Sequence, residues 1–306
     1  MRVLVVCSYN NGAISPFVRE QVVSLRKLGV KIDYFKVRGK GVLGYLKNYP
    51  AFVSKLKKNK YQLIHAHYGF CGLLSILQMY TPVVCTFHGS DTHNLLERML
   101  SIFVSRFSNY SILTNEKQIK KLLLRKKYSV EKCGIDLKTF VPKNQDECRA
   151  RMGLNRDNIY ILFSSSFSNK IKNPDLARES VEIASKLIDK KVELIPLEGY
   201  SKVEVANLIN ACDLVLVTSR KETGPLIVKE ALACNKKVIS TNVGDVESLI
   251  ANIEGCYVVE SNSREIAEII IKDLNQVRNN VNYRMIVEGY SLEQVSERIK
   301  YIYESI

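Results

Sequence analysis

Apolar positions along this chain fall into short β-branched runs separated by longer segments whose apolar residues recur three and four apart. In the first half the runs are RVLVVC (2–7), VKIDYF (30–35), QLIHAH (62–67), PVVCTF (82–87) and YSILT (110–114), which read as buried strands. Between them lie SPFVREQVVSLRKLG, LGYLKNYPAFVSKLKK, GLLSILQM, a stretch near 93–107 and NEKQIKKLLLRK, whose spacing predicts helices. The second half repeats the alternation. Its predicted strands are IYILFS, KVELIP, DLVLVTS, KVIST and CYVV, and the segments between and after them, from NPDLARESVEIASKLI to SREIAEIIIKDL, read as helices. Strand and helix in alternation predict parallel sheets with helices on both faces, so the pattern implies an α/β chain of two doubly wound units.

Pro142 and the polar KNQDE beside it interrupt the pattern. We therefore expect one domain over 1–141, a second over 142–285, and a terminal amphipathic helix in 286–306 with no strand after it. The charge balance changes at the same place. Residues 1–141 carry 23 Lys or Arg against 7 acids, residues 142–306 carry 22 against 24, and the whole chain is +14. No acid occurs between Asp33 and Asp91, whereas the run from Lys36 to Lys60 is rich in lysine. Such a face attracts phosphates, anionic lipids or acidic polymers.

Eight cysteines without a C-x-x-C pair, mostly inside apolar runs, read as buried free thiols in a reducing compartment and argue against a disulfide framework or a zinc site. The first apolar stretch is too short for a signal peptide, and no run approaches the roughly 18 residues that span a bilayer. A cytoplasmic protein, peripheral at the inner face of the membrane, is the expectation.

Chemistry concentrates in KETGPLIVKE, from Lys221 to Glu230. It follows a predicted strand and should open a helix over 224–233, with Gly224 and Pro225 at the start. Outward N–H groups and the helix dipole favour an anion there. Glycine admits a close ligand, and proline suits a first helical turn. Glu222 and Glu230 would flank a diphosphate bound at Gly224, Pro225 and Leu226, a layout that suits a nucleotide sugar.

The segment resembles the Glu, seven residues, Glu motif of the retaining glycosyltransferases of family 4, and the likeness runs on through VKEALACNKKVISTNVGDVESLI. The resemblance implies a GT-B fold, two Rossmann-like domains facing a cleft, the first for an acceptor and the second for a nucleotide sugar. It gives Glu222 the transferred sugar and Glu230 the ribose. It also gives His88, in HGSD after the fourth strand, a catalytic hydrogen bond to the donor sugar. Gly12 matches the family's first loop near the donor phosphate, and Lys172 one of two cations that neutralise the leaving diphosphate. Ser166 stands where many relatives have the second cation, an arginine, and Cys133 where they have asparagine. The final helix is expected to cross back to the first domain, as such helices commonly do in GT-B chains.

No Asp-x-Asp occurs, and the first loop lacks G-x-G-x-x-G, which argues against metal-dependent GT-A chemistry and against a dehydrogenase. The expected activity is a metal-independent, retaining hexosyl transfer from a UDP- or GDP-sugar to a saccharide or lipid-linked acceptor in surface polysaccharide biosynthesis. No cofactor and no nucleic-acid partner is expected, while Lys36–Lys60 offers an anionic membrane surface a seat. Two rivals stand beside this reading: a GT-B sugar nucleotide epimerase, and a non-catalytic binder of nucleic acid or acidic polymer prompted by the basic half.

Overall fold

Both series of strands fold into parallel sheets. A computed structural model describes residues 1–92, 94–125, 127–276 and 281–306, and divides the chain into two units, Met1–Gly134 with Leu292–Ile306 and Ile135–Ser291. His93 and Lys126, each at the edge of a predicted helical segment, lie outside the described residues.

The first unit runs β1 (Arg2–Ser8), α1 (Pro16–Lys27), β2 (Lys31–Val37), α2 (Gly41–Leu46), α3 (Tyr49–Lys58), β3 (Leu63–His67), α4 (Gly69–Ile76), β4 (Val83–Phe87), α5 (Leu95–Phe107), β5 (Tyr110–Leu113), α6 (Lys117–Lys121) and β6 (Tyr128–Val130). The second contains α7 (Gln145–Met152), β7 (Ile159–Phe163), α8 (Pro174–Ser185), β8 (Val192–Pro196), α9 (Lys202–Ala211), β9 (Leu214–Val217), α10 (Leu226–Ala233), β10 (Lys237–Thr241), α11 (Val246–Ile250), β11 (Tyr257–Val259), α12 (Ser263–Asn275) and α13 (Arg284–Val287). The last helix, α14 (Leu292–Glu304), belongs to the first unit.

Sheet order is β2-β1-β3-β4-β5-β6 in the first unit and β11-β10-β9-β7-β8 in the second. In each, the strand that comes first in sequence has neighbours reached in opposite directions. A crevice therefore opens at the carboxyl ends of β1 and β3, and another at those of β7 and β9, the switch points at which open α/β sheets bind ligands. Strand β1 shows why both faces are covered: Leu4 and Val6 enter the core beneath α2–α6, while Val3 and Val5 enter the core beneath α1 and α14. Each is fully buried and contributes roughly 1.5–3 kcal/mol.

The unit boundaries differ from the expected 141/142 and 285/286. They fall at 134/135 and 291/292, because Ile135, Phe140 and Val287 all enter the second unit's core. The Arg284 guanidinium fastens the segment before Pro142 by donating to the Phe140 and Leu137 carbonyls at 2.6 and 2.7 Å. The polar stretch read as a boundary is instead helix α7, started by Asn144, whose side chain accepts from Glu147 N–H at 3.0 Å. The predicted helix over 43–58 is two helices, broken near Asn48 just before Pro50, and β6 is a strand the pattern did not reveal.

Helix α14 packs its Val295, Ile299, Ile302 and Tyr303 with Val18, Val22 and Leu25 of α1. The Ser24 hydroxyl donates to the Leu292 carbonyl at 3.1 Å at its start.

Candidate functional site

At the switch point of the second sheet, the loop after β7 and the loop after β9 are stitched together. The Thr218 hydroxyl reaches the Lys172 and Asn173 carbonyls, both at 2.9 Å, and Arg220 N–H donates to the Ile171 carbonyl at 2.9 Å. This brings together two residues fifty apart in sequence. Lys172 Nζ donates to Glu222 Oε1, an ion pair shielded from most solvent, and the Ser219 hydroxyl donates to the same oxygen at 2.9 Å. Before α10, then, a fixed cation and a fixed carboxylate face one position.

Helix α10 begins at Leu226, two residues later than expected, and Pro225 is an extended cap residue (φ −67°, ψ 114°) rather than part of the first turn. The neighbouring loop packs closely on this turn. A Cβ on Gly244, whose φ is +59°, would lie 2.6 Å from the Thr223 carbonyl oxygen, and one on Gly224 would lie 3.0 Å from Asp245 Oδ1. Gly224 is thus tightly packed against the next loop, and Gly244 is the position where both backbone and packing require glycine, a reason its sequence context did not show. Leu226 packs its half-buried side chain against the core. Glu230, half-buried, lies four residues on, roughly 6 Å along the axis at about 1.5 Å per residue.

Beneath this loop is a feature the sequence reading missed. Lys229 and Asp245 are almost wholly buried and pair at 3.6 Å, with the Tyr290 ring centroid 5.5 Å from the lysine nitrogen. The signal was available: α10 is buried on nearly all sides, so a lysine inside it must find an acid. Ser166, at the position many relatives fill with arginine, donates to Glu198 Oε2 at 2.7 Å. That spot therefore presents a carboxylate, and Lys172 is the cation paired with Glu222.

In the first unit, β3 and β4 end in a histidine array in which His65 and His67 are buried and His88 is half-buried. His65 Nδ1 meets the Tyr303 hydroxyl of α14 at 2.5 Å and its Nε2 meets the Thr86 hydroxyl at 2.7 Å, while His67 Nδ1 and His88 Nε2 are 3.0 Å apart. Burial lowers the pKa of all three, that of His67 to about 3, so the array is neutral at pH 7. Phe17 and Tyr68 lie against the His88 ring, both at 4.6 Å. With Nε2 engaged, Nδ1 is the His88 nitrogen that can meet a substrate.

Asp91 organises this end of the sheet by accepting Gly69 N–H and His88 N–H, each at 2.7 Å, and burial pushes it up to about 6 against those two bonds. It thereby fills the anion seat at the start of α4 with a carboxylate of the chain itself. Tyr68, held at φ +72°, is backbone strain of a kind that functional sites retain. A cavity of about 260 Å³ opens at this switch point, where Ser8, Ser15, Tyr68, Ser90, Asp91 and Glu97 contribute to its wall and, among the described residues, no Lys or Arg does. Gly12 sits in the β1–α1 turn at φ +71°, its N–H 3.2 Å from the Tyr9 carbonyl oxygen, a conformation that favours glycine. Among the described residues, no three His, Cys, Asp or Glu side chains form a group that could hold a metal ion.

Two parallel sheets with these switch-point sites define a GT-B chain, and comparison with known proteins agrees. The family described as Glycosyltransferase Family 4 matches residues 2–139 and that described as Glycosyl transferases group 1 matches 172–291. Each match covers less than half of the chain, the two together cover most of it, and both describe glycosyltransferases. It is 28% identical over 171 residues to D-inositol 3-phosphate glycosyltransferase 1 of Catenulispora acidiphila, a match covering 45% of this chain and 41% of that protein, so it spans about two fifths of that relative's length. It is 25% identical over 297 residues to the UDP-Gal:alpha-D-GlcNAc-diphosphoundecaprenol alpha-1,3-galactosyltransferase of Escherichia coli, covering 81% of this chain and 76% of that one. The structure of HepE from Anabaena in complex with UDP and glucose superimposes with a TM-score of 0.78 at 14% identity over all of both chains.

Proposed function

We propose that the chain moves a hexose, with retention and without a metal, from a nucleoside diphosphate sugar to a saccharide or lipid-linked acceptor of surface polysaccharide biosynthesis. The observation that carries this reading is the meeting of Lys172 and Glu222 at the second sheet's switch point, directly before α10. An incoming diphosphate takes Lys172 from Glu222 and receives N–H groups at Gly224, Pro225's neighbour Leu226 and the helix start. The freed carboxylate then accepts hydroxyls of the transferred sugar, and Glu230 accepts those of the ribose. Charge on the leaving diphosphate is met by a preorganised cation and dipole, the kind of stabilisation that needs no Lewis acid. The acceptor hydroxyl attacks from the face the diphosphate leaves, and the departing phosphate takes its proton. The 260 Å³ cavity of the first unit, with its hydroxyls and carboxylates, suits an acceptor ring, and His88 Nδ1 suits a sugar hydroxyl. The E. coli relative, named for a UDP-sugar donor and a diphosphoundecaprenol-linked acceptor, supports this choice of substrates.

Titrating the chain with UDP- and GDP-sugars by thermal shift identifies the donor. A ligand at about 100 times its Kd stabilises by about 2.7 kcal/mol. Turnover is then followed with donor alone and with lipid-linked acceptor, in magnesium and in excess EDTA. Transfer that is acceptor-dependent and unchanged by EDTA supports the proposal. Release of free sugar equally fast without acceptor points to an epimerase, and full, metal-reversible loss under chelator refutes metal independence.

A further inference from the structure

Helix α5 exposes an apolar ridge. Leu95, Leu96, Met99, Phe103 and Phe107 are each between 47% and 69% exposed, and the Phe103 and Phe107 rings lie 4.7 Å apart. At about 100° per residue they occupy one arc of about 120°, which exposed Arg106 shares, while Ser101 and Val104 bury the opposite side. The helix is well formed for this purpose: Asn94 caps it by accepting Glu97 N–H at 2.8 Å. Large apolar residues gathered on the surface of one element mark an interaction site.

The layer around the ridge is basic. Phe52 and Leu56 of α3, Leu74 of α4, Val104 of α5 and Leu122 just after α6 share one core, so α3 to α6 cover the same face of the sheet. Exposed Lys57 and Lys58 of α3 and Lys117, Lys120 and Lys121 of α6 therefore lie in the layer that carries the ridge. Between Lys36 and Lys127 the chain has 16 Lys or Arg and three acids, of which Asp91 is buried.

We infer that this face docks on an anionic lipid bilayer, α5 lying in the interfacial plane with its ridge among the acyl chains and the flanking lysines on lipid phosphates. The combination of an apolar arc with a cationic surround is that of interfacial helices. A second copy of the chain fits less well, because a two-fold contact through the ridge sets one basic layer against another. The docking does not require a spanning segment: among the described residues no helix is long and apolar enough to cross a membrane. It also moves the expected contact from the Lys36–Lys60 run alone to a ridge in the same helical layer as the lysines. Leu100, which adjoins the ridge, lines the 260 Å³ cavity together with Glu97 and Ser101 from the far side of α5. Docking thus brings the cavity's edge to the headgroups, where the sugar of a lipid-linked molecule stands.

The test does not measure turnover, so its failure is separable from failure of the transferase reading. The chain has no tryptophan, which makes Phe103→Trp a background-free reporter, with Leu187→Trp in the second unit as control. With vesicles of phosphatidylcholine containing phosphatidylglycerol, the Trp at 103 shifts to the blue and the one at 187 does not. The wild-type chain sediments with these vesicles and not with phosphatidylcholine alone. Leu96→Gln, Met99→Gln and Phe103→Gln together, all at exposed positions, weaken sedimentation at least tenfold. So does replacing Lys57, Lys58, Lys120 and Lys121 by Gln. Three results overturn the inference: wild-type chain left in the supernatant at low salt, a ridge variant that sediments as well as wild type, or a dimer in sizing that the ridge variant abolishes while vesicle binding is absent.

Discussion

Replacing Lys229 by methionine tests whether the loop that holds Gly224 is braced by a buried charge pair. The lysine and Asp245 are 3.6 Å apart, their side chains 1% and 3% exposed. At an effective dielectric of about 20 their attraction is about 5 kcal/mol, and removing one partner of such a pair typically costs about 3–5 kcal/mol because the other charge stays buried. For a unit of this size about 4 kcal/mol lowers the melting temperature by roughly 8–16 °C. Asp245→Asn should lose a similar amount, and the double variant far less than the two together, with a coupling of about 2 kcal/mol or more, within the range measured for contacting residues. The assay is a double-mutant cycle by thermal unfolding of the full chain. Losses below about 1 kcal/mol for Lys229→Met, or a coupling near zero, would show that the pair contributes little and that α10 is held by its apolar faces alone.

Other expectations follow from the same geometry. Glu230→Ala should weaken binding of the bare nucleoside diphosphate by about 1.5–3 kcal/mol, the worth of a hydrogen bond to a charged group, whereas Glu222→Gln, which frees Lys172, should leave it at least as tight and lower turnover. Calorimetric titration separates them, and equal losses would sink the assignment. Gly244→Ala, which meets both a positive φ and a carbonyl at 2.6 Å, should destabilise more than Gly224→Ala, and the reverse order in chemical unfolding would contradict the packing described. Acid should destabilise the first unit. His67, depressed to about 3 by burial, contributes stability that is complete above about pH 6.5 and declines as pH falls toward 3. By pH 5 this loss is about 2 kcal/mol, against roughly 1.5 kcal/mol returned by Asp91, whose raised value of about 6 makes its burial cost fade on acidification. His65 acts in the same direction as His67. Melting temperatures should therefore drop between pH 7 and 5, and His67→Gln should flatten the drop; a level wild-type profile would refute this.

The alternation of β-branched runs with helical spacing was enough to specify two parallel sheets, since a strand covered on both faces must be apolar throughout, and RVLVVC or DLVLVTS fits little else. The spacing of Glu222, Gly224, Pro225 and Glu230 likewise placed a candidate anion site at a strand-to-helix turn, because that chemistry is local in the chain. What depended on distant residues was not legible. Lys172 and Glu222 meet only because β9 returns to the side of β7 opposite β8. Gly224 is crowded by Asp245 from another loop, and α10 starts only after Pro225, neither of which the local sequence showed. The boundary near Pro142 was misread because Ile135 and Phe140 give no local sign of which core they enter. The ridge on α5 was hidden as well: an apolar stripe in a sequence predicts a buried face, and only tertiary packing decides that Ser101 and Val104 face the sheet while Met99 and Phe103 face out. Periodicity records that a helix has two faces; which of them meets the core is settled by the neighbours the fold supplies.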